Sequence, residues 1–470
     1  NEIKKARLRI DPKEFLERYD VPGIGELSRT VGSHLAELMK KAEDHDLVDW
    51  HFKICMDEAE CLSNLQLRTV NTLVRLCEWP VSYVVSFVGQ PRDVTTTLFP
   101  KLSQQKADCN IQYLDDLGRN EFKKLCEGVA TVRIRSAVNN DSLIFDSSKV
   151  LGDLDLNGLV ESMVNRSESD TAVQLKGLAE NFRSNWAENR IGSANLPYIE
   201  AYLADKLELK VPDDSTENKQ RRKQESAEFR KKIVAAYLSI CNDLKVKKIP
   251  YASANMVLGI SDNCIRDFIS QMDYIFRETG LSVSEFGKLL EGQGKDPISS
   301  EIQSNAIHQA SEEKDRSIPD SPVLTPIQVG KLVRGLGELT GILQRGGVNT
   351  KHLQSSERGV FIKYESVSGS ATDSITQMIQ DAADAGFLKM KTENDGIIAF
   401  RIHCSLSPVY GLSYRGAYYP VPLKDEDLER FLTCEGKDKI LQVARSIAQR
   451  FEKPQAEQEK QRLLFPDELE

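Results

Sequence analysis

Phe52-Lys-Ile-Cys-Met-Asp-Glu-Ala-Glu60 and Val81-Ser-Tyr-Val-Val-Ser-Phe-Val88 decide how this chain reads. The first is an apolar strand, Phe52 to Met56, that ends on two adjacent carboxylates, Asp57 and Glu58. The second is a β-branched and aromatic run closed by Gly89 and followed by Gln90 and Pro91, the pattern of a buried strand in a parallel sheet. A helical pattern from Glu60 to Leu76 separates them, and strand, helix, strand at that spacing predicts an α/β layer.

Two acids at the C-terminal edge of such a strand suit nucleotide chemistry. Asp57 can hold a magnesium ion, a hard cation that prefers oxygen ligands and keeps part of its water shell. Glu58 can orient or deprotonate an attacking water. The plainer alternative makes Asp57 the cap of a helix starting near Ala59, with Glu58 and Glu60 favouring its positive end. Gln90 leaves the second strand where a polar group could sense a terminal phosphate; the alternative is an ordinary turn residue before Pro91.

The rest of the composition narrows the class. The chain has 470 residues, 62 Lys+Arg against 71 Asp+Glu, a formal charge of −9 and 40% hydrophobic residues, which predicts a folded, mildly acidic, cytoplasmic protein of about three domains. No apolar run approaches the ~20 residues that cross a bilayer, so no membrane partner is expected. The 9 cysteines form no CxxC pair and mostly sit in apolar runs, as reduced core thiols do. The 6 histidines are scattered without HxxxH spacing, so no structural metal is expected.

Along the chain we expect an α/β core over 1–130, a helical insertion over 131–228, a helical lid over 229–291 and a linker over 292–325 carrying one helix near Glu301 to Glu313. A winged-helix domain follows over 326–425, with a C-terminal helix and tail over 426–470. Lys219 to Lys232 holds seven basic and two acidic residues and reads as one solvated helix face. In the winged-helix region, helical periodicity at Ile327 to Leu343 precedes a strand at Val360 to Tyr364 and a helix at Asp373 to Ala385. Phe387 to Lys391 and Ile397 to Ile402 then flank an Asp-Gly turn as a hairpin. The tail segment Gln461-Arg-Leu-Leu-Phe465 reads as part of a final amphipathic helix, with a short docking peptide as the alternative.

With Leu98-Phe-Pro-Lys-Leu-Ser-Gln-Gln105 and Ile111-Gln-Tyr-Leu-Asp-Asp-Leu-Gly-Arg-Asn-Glu-Phe122 added, the chain resembles the AAA+ ATPases, in particular the origin-recognition-complex (ORC) type. Ile249-Pro-Tyr-Ala252 and Leu258-Gly-Ile-Ser-Asp-Asn-Cys-Ile-Arg-Asp-Phe-Ile269 resemble that family's lid motif, in which an Arg at the start of a helix reaches the nucleotide phosphates. Arg266 matches that position, and its planar fork suits two phosphate oxygens. The alternative is an Arg paired with Asp262 or Asp267. Arg401-Ile-His-Cys-Ser-Leu-Ser-Pro-Val-Tyr-Gly-Leu-Ser-Tyr-Arg-Gly416 resembles a signature of bacterial members. The resemblance implies a partial AAA+ core with a parallel sheet, a helical lid and a C-terminal winged helix. It also implies ATP and Mg2+ as cofactors, and the role of a nucleotide switch in a multi-protein system such as genome or anti-phage defence.

Three departures bear on activity. No G-x-x-x-x-G-K-[S/T] loop is present: Gly287-Lys288, Gly294-Lys295, Gly330-Lys331 and Gly436-Lys437 are each followed by Leu or Asp. The simplest reading is a chain that starts after that loop, and ATP hydrolysis is expected if the loop precedes Asn1. The family's trans-acting arginine position falls near Lys101 to Gln104 and holds no Arg, with Arg92 and Arg119 as substitutes. The separation of Gln90 from Arg266 exceeds what a compact AAA+ module needs, which the helical insertion explains. Asp373 to Ala385 carries three acids and no base, and 321–420 holds ten basic and eight acidic residues. A protein partner or a second copy is therefore expected at the winged helix, with DNA contact through Lys389, Lys391 and Arg401 as the alternative. The rival readings of the whole are a non-hydrolysing scaffold and a DNA-binding protein with a structural ATPase core.

Overall fold

The structure is a computed structural model that describes residues 30–37, 52–86, 97–98, 117–186, 196–206, 232–291, 296–345, 358–364, 371–392, 397–415 and 419–451, with short gaps at 36, 58, 60–61, 78–79, 322 and 324. Glu58, Gln90, Arg92, the 101–104 stretch, nearly all of the basic run 219–232, the hairpin turn and the tail at 461–465 lie outside the described residues. The chain divides into two compact units, 1–112 and 113–470.

In the first unit, strand β1 (Phe52–Met56) pairs in parallel with β2 (Val81–Val85), in register from Phe52 opposite Val81 to Met56 opposite Val85. A parallel pair needs a crossover, and helix α1 (Asn64–Arg75) supplies it. Its N-terminus is set by a capping box: Gln66 N–H donates to Ser63 Oγ at 3.4 Å and Ser63 N–H to Gln66 Oε1 at 2.9 Å. The second strand ends at Val85, short of the Val88 its apolar run suggests.

The second unit has two hydrophobic cores. The first gathers α2 (Arg119–Val138), α3 (Ser147–Leu151), α4 (Leu156–Arg166), α5 (Asp170–Trp186), α6 (Tyr198–Lys206), α7 (232–243), α8 (Ala254–Ser261), α9 (Ile265–Thr279), α10 (Val283–Leu290) and α11 (Ser300–Ser317) around Tyr198, Tyr237, Phe145 and Phe268. Phe145 meets Phe268 edge to face with centroids 6.5 Å apart, so insertion and lid bury their apolar faces against each other. Helix α2 runs across 130 and belongs wholly to the second unit. Within 292–325 the one helix expected near Glu301 to Glu313 is present as α11. Helix α11 buries Ala306, Ile307 and His308 in the first core and runs into Ile318 of the second.

The second core surrounds α12 (Pro326–Gln344), an apolar helix with Val329, Leu332, Val333, Leu336, Leu339 and Leu343 all buried. Packed around it are β3 (Arg358–Tyr364), α13 (Ala371–Asp384), β4 (Leu388–Thr392), β5 (Ile397–Ile402), the short α14 (Ser407–Tyr410), β6 (Tyr419–Pro422), α15 (Asp425–Thr433) and α16 (Lys437–Ala448). The strands form one sheet in the order β4, β5, β3, β6. β4 and β5 pair antiparallel from Leu388 opposite Ile402 to Thr392 opposite Ile398, so the hairpin falls where the alternation put it. The parallel partner β6, beside β3, had no signal in the sequence reading.

Candidate functional site

In the first unit the parallel register brings the residues after Met56 and Val85 side by side. Ser86 Oγ donates to Asp57 Oδ1. The backbone continues the ladder around them, Ser86 N–H to Met56 O at 2.9 Å and Ala59 N–H to Ser86 O at 3.0 Å. Both side chains are exposed at the strand ends. The longer helix α1 starts at Asn64 under its own cap, Ser63, and Ala59 lies in a short helical turn directly after Asp57. Ser86 was missed in the sequence because it sits inside an apolar run; the signal available was its place as the polar residue after Val-Val. The set of a carboxylate and a hydroxyl is made of hard oxygens, which fits magnesium. Among the described residues no group of three or more His, Cys, Asp or Glu gathers for a metal, so an ion on Asp57 would complete its shell with water and phosphate oxygens.

In the second unit the lid motif forms a tight corner. Asp262 and Asn263, joining α8 to α9, both have left-handed backbones, φ 52° and 59°. Asp and Asn tolerate this conformation better than other residues with a Cβ. Close packing enforces the corner from behind: a Cβ on Gly259 would lie 2.9 Å from the carbonyl oxygen of Tyr414, so only glycine lets the two backbones approach. Arg266 follows as the second residue of α9 and is exposed.

The two acids offered as alternative partners of Arg266 are occupied by others. Arg401 Nη1 donates to Asp262 Oδ2 and Nη2 to Oδ1, each at 2.8 Å, a two-pronged pair with side chains 20% and 11% exposed. Lys389 Nζ stands 3.6 Å from Asp262 Oδ1, and Cys404 N–H donates to Oδ2 at 3.2 Å. Asp267 accepts from Lys314 Nζ at 2.8 and 3.0 Å.

Burial alone would raise the Asp262 carboxyl; Arg401 outweighs it and holds the group well below the usual carboxylate range. Asp267 is lowered in the same way, burial being overcome by Lys314. Burial drives the His403 imidazole down to about 3, aided by Lys314. His403 is therefore neutral near pH 7. Its Nδ1 lies 2.8 Å from Ser405 Oγ and 3.4 Å from Asp267 Oδ2, and its Nε2 lies 3.8 Å from Asp262 Oδ2.

Two of the three hairpin cations considered for DNA, Lys389 and Arg401, are thus turned inward onto Asp262, and only Lys391 is exposed. Arg119, one candidate for a trans-acting arginine, donates within its own unit to Asn255 O at 3.1 Å. The cysteines at 55, 77, 126, 241, 264, 404 and 434 are free thiols.

No curated protein and no solved structure matches the chain. A family model described as ORC-CDC6-like matches residues 1–423. The parallel strands ending at Asp57 and Ser86, and the corner that carries Arg266, fall inside that match. The chain belongs to the ORC-CDC6-like family, proteins of AAA+ ATPase type that generally bind ATP with Mg2+.

Proposed function

We propose that this protein is an ATP-dependent switch that controls a partner complex, in the setting of genome or anti-phage defence that the signature from Arg401 to Gly416 resembles. The observation that carries the reading is the pairing of Asp57 and Ser86 at the ends of two adjacent parallel strands, within a chain of this family. Asp57 would hold the magnesium that neutralises phosphate charge, with Ser86 orienting the carboxylate. Glu58, next in sequence, would serve as base for the attacking water, Gln90 as a sensor of the terminal phosphate and Arg266 as the lid's contact to the phosphates. A region from 326 to 425 built as a winged helix would meet protein rather than DNA, since two of its three candidate cations face Asp262.

The test is Glu58→Gln in the full-length protein. The substitution keeps size and hydrogen bonding and removes the base, so ATP binding should persist while turnover falls by about 10²-fold or more. Hydrolysis at the parent rate would end the catalytic reading.

A further inference from the structure

The corner ahead of Arg266 is held from outside the lid, by the hairpin of the second core. Two consecutive left-handed residues are a conformation the chain leaves readily unless its surroundings enforce it. Each of the two side chains is anchored. Asp262 is gripped by both prongs of Arg401 and by the Cys404 amide. Asn263 Nδ2 donates to Leu117 O at 3.0 Å, at the start of α2. Just past Arg266, Asp267 is pinned by Lys314 of α11. Arg266 thus lies between two acids, each half-buried and paired, while its own side chain is exposed.

We propose that Arg401 is a positioning residue for Arg266: its forked pair with Asp262 holds the left-handed corner, and with it the first turn of α9, so that Arg266 is presented to nucleotide at one angle. The purpose of the device rests on the nucleotide role proposed for Arg266. The geometry explains why an Arg is used where charge alone would allow Lys. The fork engages both carboxylate oxygens at once and fixes the rotation of the Asp262 side chain, which a point charge leaves open. It also gives the conspicuous Arg401-Ile-His-Cys404 segment a task that requires no DNA. Arg401 pairs with the carboxylate, His403 sits neutral against it and Cys404 supplies an amide.

The experiment uses the full-length protein and two readouts. Amide hydrogen exchange across 262–268 should speed up at least about tenfold in Arg401→Gln, and by less in Arg401→Lys, while exchange in the Tyr237 region of the first core stays at the parent rate. ATP affinity should fall about tenfold in Arg401→Gln. In an Arg266→Ala background the same change should cost nothing further, because the residue it positions is gone. If Arg401→Gln does not fold, Arg401→Lys carries both readouts, since it keeps the charge and loses only the fork. Unchanged exchange at 262–268 overturns the positioning role alone. An equal loss of ATP affinity with and without Arg266 shows a merely structural pair and overturns it too. If Arg266→Ala leaves ATP affinity at the parent value, the nucleotide role of Arg266 falls, and the purpose of the latch falls with it.

Discussion

Ser86 Oγ donates a hydrogen bond to the carboxylate of Asp57 one residue beyond the last paired rung of the two parallel strands, Met56 opposite Val85. A hydroxyl on a carboxylate oxygen limits the rotation of the group, which is how supporting residues orient metal ligands.

The two residues should therefore differ in what their loss does. In the full-length protein Asp57→Asn should abolish the dependence of nucleotide binding on magnesium, because the ligand charge is gone. Ser86→Ala should keep that dependence and lower turnover by about tenfold or less, the scale of one exposed hydrogen bond to a charged group. Magnesium titrations of ATP binding and turnover, side by side, check both. A magnesium-independent Ser86→Ala protein would show that the hydroxyl itself carries the ion.

Duplex DNA should bind the whole chain only in the non-specific range, about 10⁻⁴ to 10⁻⁶ M at physiological salt. The reason is local: Arg401 and Lys389 are committed to Asp262, and Asp381 and Asp384 lie on the helix before the hairpin. Fluorescence anisotropy over a salt series reads this directly. Nanomolar, sequence-selective binding would contradict it.

Gly335→Ala should destabilise the second core. A Cβ at 335 would lie 2.3 Å from the ring of Phe431, which is fully buried against α12, so ring and helix would have to separate. Overpacking of this kind costs about 1–3 kcal/mol. Urea unfolding of the variant should show a lower midpoint at an unchanged slope, and a parent-like midpoint would mean that the ring moves freely.

Stability should fall as pH drops below about 6.5. The folded-state pKa of His403 is depressed to about 3 by burial, and burial also lowers that of His308. Below the unfolded value the unfolded chain takes up protons that the folded chain refuses, so the stabilisation present above that value is lost as pH falls toward the folded ones. Each histidine contributes a slope of up to about 1.4 kcal/mol per pH unit. Asp262 and Asp267 are also depressed, but their stabilisation is present above the unfolded carboxylate value and lost only as pH falls through still lower folded ones, outside this window. Urea unfolding between pH 5.5 and 7.5 should show the slope, and His403→Gln should lessen it. A variant with the parent slope would place the titration elsewhere.

The amino-acid sequence determined the local elements of this protein, because periodicity and caps act over a few residues. β1 falls on the predicted Phe52–Met56, and the hairpin of β4 and β5 falls where Leu388 and Ile397 open their alternating runs. The carboxylate at the first strand's edge and the Ser-Asp-Asn corner before Arg266 were legible for the same reason. Tertiary structure decided what no local rule contains. The helix near Glu301 to Glu313 was legible as α11, but its packing was not, because Ala306 and Ile307 find apolar partners distant in sequence. Lys389 and Arg401 read in the sequence only as alternative DNA contacts, and Asp262, 139 positions from Arg401, draws them inward. A buried carboxylate must be paired to stay charged, and which cation pairs with it depends on which surfaces the fold brings together.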